Sequence, residues 1–261
     1  MTSALVLTTD HDGVRVITLN RPAARNALSR ELIRAAFEAL TAADADEGVR
    51  AVVLTGTDPA FCAGVDLKEA ARDGVAYFDE FRSQSCITAV AAMRTPVVGA
   101  INGATFTGGL EMALGCDFLI ASERAVFADT HVRVGILPGG GMTARLPQRV
   151  GAAMARRLSM TGEVVDAARA ERIGLVTEVV PHERLLERAV ELAEQIADVP
   201  GATMRGLKEI YTAGAAAVTD PALAAEERIA TAQHRDNPSL GGLGDRFDAV
   251  TRRNKAQIRS T

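Results

Sequence analysis

Two short segments carry the residues best suited to chemistry. The first, Ala60-Phe-Cys-Ala-Gly-Val-Asp-Leu-Lys68, follows an apolar run at 51–56 after a turn at Asp58-Pro59. Its small residues Ala63 and Gly64 let a ligand come close to the main chain, so the N–H of Val65 can point into a pocket. The second, Asn102-Gly-Ala-Thr-Phe-Thr-Gly-Gly-Leu-Glu111, follows another apolar run at 97–101 and opens a helix at Gly108-Gly109. The first N–H groups of a helix have no partner inside it, and its dipole favours negative charge there. Two backbone donors from two strand ends, aimed at one point, stabilise a developing oxyanion. On a thioester that oxyanion is an enolate or a tetrahedral intermediate. Glu111 lies about one helical turn beyond Gly108 and is a candidate general acid/base. Either glycine cluster alone is more often a turn than a site, and a Glu in a first helical turn usually just suits the dipole. The two segments together, each after a buried strand, weigh more.

These segments need elements to hold them. Leu5–Thr9 and Val14–Leu19 flank Asp12-Gly13 and read as a β-hairpin. Ser29 caps a helix running to about Ala43, with Leu32, Ile33, Ala36, Phe37 and Leu40 on one face. The runs at 51–56, 97–101, 118–121 and 176–179 are short and β-branched, as buried strands are. Strands alternating with helices predict an α/β class. Beyond Pro200 the pattern is helical only, at 203–212, 222–234 and 244–258, which sets a boundary between a core at 1–200 and a C-terminal helical region at 201–261. The last helix carries a thin apolar stripe of Phe247, Val250 and Ile258, suited to packing on a partner.

The 261 residues are 48% hydrophobic and 24% charged, enough for a sizeable core. With no Trp and 4% aromatics, aliphatic side chains must fill it. A net charge of −4, with Lys only at 68, 208 and 255, argues against general nucleic-acid binding. Cys62, Cys86 and Cys116 match no metal spacing, so no metal site is expected, and no leader precedes them; a reduced, cytoplasmic protein is the expectation. No apolar run approaches the roughly 20 residues of a membrane span.

At this level of detail the chain resembles the crotonase, or enoyl-CoA hydratase/isomerase, superfamily. Asn20-Arg-Pro-Ala-Ala-Arg-Asn-Ala-Leu28 resembles its early signature, and Phe61–Lys68 its Phe-x-Ala-Gly-x-Asp-Leu segment. Asn102-Gly103, Gly108-Gly-Leu-Glu111 and Cys116-Asp117 resemble the next, and Gly135-Ile-Leu-Pro138-Gly139 the loop that follows. The resemblance implies a spiral of β-β-α repeats with a helical C-terminal trimerisation region, assembled as a trimer or a hexamer. It implies an acyl group carried on coenzyme A, which is part of the substrate, so no separate cofactor is expected. Val65 and Gly108 would supply the oxyanion-hole N–H groups. Residues Arg25, Ala27, Ala63, Gly64, Asp66 and Leu67, with Gly109, Pro138 and Gly139, would line the substrate path. Arg253 or its neighbour Arg252 would reach a phosphate of the nucleotide.

The chain departs from the family pattern at two positions. Hydratases of this family pair two glutamates around one water. Glu111 matches the first, but the second position holds His131, within Asp129-Thr-His-Val-Arg-Val-Gly135. Histidine titrates nearer neutrality than glutamate and can carry a proton, or it can be a substrate contact. Asp129 can orient His131 or cap the loop, and the sequence favours the loop. The last departure is Thr107, where the family has a glycine. The resemblance implies hydration of a trans-2-enoyl-CoA through a thioester enolate, with Glu111 activating water and His131 assisting proton delivery. The alternatives are a Δ3–Δ2 enoyl-CoA isomerase, an acyl-CoA hydrolase, or a non-catalytic acyl-CoA-binding member. Side chains around 73–81 are expected to set chain length.

Overall fold

A computed structural model describes residues 4–74, 76–78, 85–236 and 243–260. Val75 and residues 79–81, part of the segment expected to set acyl-chain length, lie outside the described residues, as does the side chain of Phe247.

The hairpin forms as read, from β1 (Val6–His11) and β2 (Val14–Leu19). Asp12 and Gly13 both have positive φ, which the tight antiparallel turn requires. It continues into β3 (Ala51–Gly56), β5 (Val97–Ile101), β7 (Phe118–Ser122) and β10 (Glu178–Val180), giving a six-stranded sheet in the order β1-β2-β3-β5-β7-β10. From β2 onward all pairs are parallel. Such a sheet must be covered on both faces, which is why its strands read as unbroken apolar runs. Val53, Val98 and Ile120 pack on Ala189 and Ala193 of helix Leu185–Ala197, whereas Val52, Leu54 and Ile101 face the main core.

A second sheet holds β4 (Ala60–Cys62), β6 (Ala104–Phe106), β8 (Val126–Ala128) and β9 (Val165–Asp166), in that order. The chain alternates between the sheets. It runs β3 then β4, β5 then β6, and β7 then β8, and each small-sheet strand leads to a helix: Leu67–Asp73, Gly108–Leu114 and His131–Val134. This is the expected spiral of β-β-α turns. Strands β4, β6 and β8 are parallel neighbours, with Cys62 beside Thr105 and Phe106 beside Ala128. Their exits therefore lie at one edge, about 4.8 Å apart per strand. Val65, Gly108 and His131 each follow one of these exits by two or three residues.

The C-terminal region differs from expectation in one respect. A single 36-residue helix, Gly201–Asp236, replaces the two separate helices at 203–212 and 222–234 and runs through Pro221. Proline removes one N–H and crowds the preceding turn, a cost of ~3 kcal/mol that the tertiary packing of a long helix can offset. Helix Leu243–Ser260 follows. Among the described residues no helix is long and apolar enough to cross a membrane.

Candidate active site

The segment at 20–28 is a scaffold for the first oxyanion segment. Buried Asn26, at φ 54°, accepts from Arg21 N through Oδ1 at 2.8 Å and donates through Nδ2 to the carbonyls of Thr57 and Ala60 at 2.9 and 2.7 Å. Ala63 N donates to Arg25 O at 3.0 Å. Leu28 then forms a parallel bridge to Val65. That bridge uses Gly64 O, which accepts from Leu28 N at 2.8 Å, and Asp66 N, which donates to Leu28 O at 3.3 Å. The N–H of Val65 itself takes no part in it and is directed to the other side. Asp66 accepts from Lys68 N and Glu69 N as the cap of the next helix and pairs with Arg21 at 2.6 Å.

Gly108 is the first residue of helix Gly108–Leu114, so its N–H has no partner within that helix. The two segments are packed against each other. A Cβ built on Gly108 would lie 3.9 Å from Gly64 Cα, and one built on Gly64 would lie 1.9 Å from Thr107 Oγ1. A Cβ on Gly109 would lie 2.2 Å from the carbonyl oxygen of Cys62. Gly64 and Gly109 were expected on the substrate path, and neither lines the cavity. Their missing side chains let the segments at 60–68 and 102–111 approach one another. Thr107 stands between them at φ 47°, a conformation costly for a β-branched residue.

A cavity of about 850 Å³ is lined by residues of both segments, Val65 and Gly108 among them. Arg25, Ala27, Ala63, Val65, Asp66, Leu67, Gly108, Glu111, His131 and Gly139 line it, as the sequence places them. Pro138 does not line it, and neither does Arg253. The Arg253 guanidinium instead donates to the carbonyls of Gly162 and Thr161 at 2.6 and 3.0 Å, which ties the last helix to the body. Lys255, two residues on and exposed, is the basic residue of that helix on the cavity wall among the described residues. Leu223, Ala230, Val250 and Ile258 from the C-terminal helices close the other side.

Glu111 and His131 meet within the cavity, 3.8 Å apart between Oε2 and Nε2, with side-chain exposures of 4% and 6%. Oε1 of Glu111 accepts from Gly140 N at 2.7 Å and Met142 N at 3.3 Å. Burial pushes the Glu111 carboxyl up to about 7, despite the opposing charge of His131. Asp129, expected to serve the loop, does more. Its Oδ1 accepts from His131 N at 3.2 Å and lies 2.7 Å from His131 Nδ1, so it also orients the ring. Burial acts to lower the imidazole pKa, but the charges of Asp129 and Glu111 outweigh it and hold His131 up at about 9. For Asp129, burial is outweighed by His131, and its carboxyl stays below the ordinary range. Around neutrality, a poised carboxyl thus faces an imidazolium held by a second carboxylate.

Sequence reasoning missed Glu226, from the 36-residue helix. Its Oε1 accepts from Gly141 N at 2.5 Å and its Oε2 from Thr143 N at 2.7 Å and from the Thr143 hydroxyl. In sequence it sits in Ala-Ala-Glu-Glu-Arg, which reads as an ordinary solvated helix face. A second histidine cluster joins Ser122, His182 and Asp58, but Ser122 is wholly buried and the cluster lies away from the cavity. It latches the ends of β7 and β10 to the turn after β3. The cysteines are buried, and burial pushes the Cys62 thiol up to about 12, so it is inert.

Comparison with known proteins bears on the family and the fold. The family model described as enoyl-CoA hydratase/isomerase matches residues 9–241. A Rhizobium meliloti protein named as a probable enoyl-CoA hydratase is 45% identical over 195 residues, 73% of this chain and 75% of the relative. The 2,3-dehydroadipyl-CoA hydratase of Escherichia coli is 35% identical over 84% of this chain and 86% of its own. The crystal structure of an enoyl-CoA hydratase from Mycobacterium avium superposes with a TM-score of 0.78 at 47% identity, covering 89% of this chain and 97% of that one.

Proposed function

Because the chain belongs to the enoyl-CoA hydratase/isomerase family, we propose that it hydrates a trans-2-enoyl-CoA, with Glu111 as base and His131 as acid. The observation that carries this reading is the pairing of two proton-carrying groups in a cavity that Val65 and Gly108 also line. The thioester carbonyl accepts from Val65 N and Gly108 N, and its oxygen gains negative charge as water adds at C3. Donors of this kind are worth about 10²–10³ in rate each. A 3.8 Å gap between Glu111 and His131 exceeds a direct hydrogen bond and suits one water touching both. Glu111 takes a proton from that water as its oxygen bonds to C3. His131 gives its proton to C2 as the enolate collapses. Glu111 then passes its proton to His131 through the site, which restores both groups, and the net change is the addition of one water.

An isomerase needs only one group to move a proton between carbons. Here a second carrier stands at the position where family hydratases have their second glutamate, which favours hydration. The test is loss of enoyl absorbance from crotonyl-CoA with purified protein, beside a 3-enoyl-CoA assay. Glu111→Gln should lower kcat about 10³-fold while still binding acyl-CoA. An equally active Glu111→Gln protein would sink the mechanism.

The coenzyme A moiety enters as part of the substrate, past Arg25, Ala27 and Lys255. A trimer or a dimer of trimers is supported by exposed Leu207, Ile210, Tyr211 and Val218 on the long helix. Light scattering after size exclusion measures that assembly directly.

A further inference from the structure

The turn between the Gly135–Gly139 loop and helix Met142–Val150 is gripped by two carboxylates on alternate residues. Glu111 holds the N–H groups of Gly140 and Met142, and Glu226 holds those of Gly141 and Thr143. Four consecutive N–H groups at this helix start are thus satisfied by two acids from distant parts of the chain. The turn is closely surrounded by side chains. A Cβ on Gly140 would lie 2.7 Å from Glu111 Oε2, and one on Gly141, at φ 103°, would lie 1.8 Å from Arg145 Nη1. Arg145 closes the turn from below by donating to Gly140 O at 2.8 Å.

We propose that Glu226 is a positioning residue for Glu111, fixing the turn whose N–H groups hold Oε1 so that Oε2 faces His131 and the cavity. Glu226 touches no reacting atom. It acts through the Gly140–Thr143 backbone, and it links the C-terminal helix to the reactive carboxylate. It also contributes charge. The groups that face Glu111 are His131 and Asp129 from the turn after β8, Arg145 from the helix below and Glu226 from the long helix. Glu226 is one of the negative charges that raise the Glu111 carboxyl. A neutral side chain at 226 therefore lets Glu111 ionise at lower pH. The proposal rests on the hydratase reading for its kinetic consequence, but not for the titration.

Two measurements separate these. Carbon-13 carboxyl NMR of the ligand-free protein, with the Glu111 signal assigned from Glu111→Gln, gives its titration midpoint without turnover. In Glu226→Gln we expect the midpoint to fall. Crotonyl-CoA kinetics should show kcat reduced about tenfold or more, KM changed less than threefold, and the acid limb of kcat/KM moved with the midpoint. Glu226→Asp keeps the charge but is one methylene too short for both N–H groups. Its limb should stay near wild type while kcat remains low. Thr143→Val removes only the hydroxyl contact and should lower kcat by about threefold, which serves if Glu226→Gln does not fold. An unmoved Glu111 midpoint with kcat unchanged, and only the melting temperature lowered, overturns the proposal and leaves Glu226 a fold contact. If wild type does not hydrate crotonyl-CoA, the hydratase reading fails, and the positioning role is then decided by the amide signals of Gly140 and Met142 in Glu226→Asp, which should move if the turn is released and which overturn the proposal if they stay at wild-type positions.

Discussion

His131 Nε2 stands 3.8 Å from Glu111 Oε2, and both side chains are almost wholly buried. Two groups so placed cannot titrate independently. Glu111 is a base only when ionised, and its carboxyl is raised to about 7, so the rate should climb as pH rises through that value. His131 is an acid only when protonated and keeps its proton to about 9, so the rate should fall above it. The expected profile of kcat/KM is a bell with limbs near 7 and 9, each belonging to the pair. A profile flat from pH 6 to 10 contradicts the assignment.

The same shifts bear on stability. Both groups hold protons more tightly folded than unfolded. Their contribution is present below the ordinary values of 4.5 and 6.5 and is lost as pH rises through about 7 and 9. Asp129 works oppositely, and its contribution is lost as pH falls through its lowered value. Urea midpoints should decline from pH 6 to pH 10, and Glu111→Gln should flatten the lower part of that decline.

The Asp129–His131 hydrogen bond, 2.7 Å long, sets the upper limb. Asp129→Asn removes the largest charge that raises the imidazole, so the alkaline limb should move to lower pH. His131→Gln keeps a polar side chain but carries no proton. Turnover should fall about 100-fold and the alkaline limb should vanish. Its Glu111 should also titrate higher, because the neighbouring positive charge is gone. Turnover unchanged in His131→Gln makes His131 a contact only.

Thr107 holds φ at 47° against Gly64, whose φ is 93°. Strain of this kind costs about 1–3 kcal/mol, and glycine relieves most of it. Thr107→Gly should therefore be more stable than wild type by roughly 1 kcal/mol, once the entropy of the added glycine is subtracted. Its turnover should stay within about threefold, since the N–H of Gly108 remains. Gly64→Ala should do the reverse and abolish activity, because its Cβ meets Thr107 Oγ1 and Phe106 O at 1.9 and 2.8 Å. Thermal melts and crotonyl-CoA kinetics of the two variants check both statements.

Lys255 and Arg253 share one helix but face different things. Lys255→Ala should raise KM for acyl-CoA about three- to tenfold, leave kcat near wild type, and flatten the salt dependence of KM. Arg253→Ala frees the helix from Thr161 and Gly162, so it should lower the melting temperature more than it alters KM. The reverse pattern would return the phosphate contact to Arg253.

What the sequence determined by itself is the part built from neighbours along the chain. Val65 and Gly108 are candidate donors because they follow a strand end and open a helix, and both are visible as apolar runs followed by small residues. Glu111 follows from the helical rise beyond Gly108. His131 follows from the family resemblance, in which the second glutamate lies four residues before the glycine matched by Gly135. The tertiary structure decided the rest. Gly64 and Gly109 serve the approach of one segment to another, which no local pattern distinguishes from approach to a ligand. Asp129 both caps and orients, because the turn after β8 folds its carboxylate against the ring. Arg253 was drawn away from the cavity by carbonyls about 90 residues earlier in the chain. Glu226, 85 residues from the N–H of Gly141, is indistinguishable in sequence from the Glu beside it. Its partner is chosen only when the long helix packs on the core, because a hydrogen bond depends on position in space and carries no trace in the spacing of the chain.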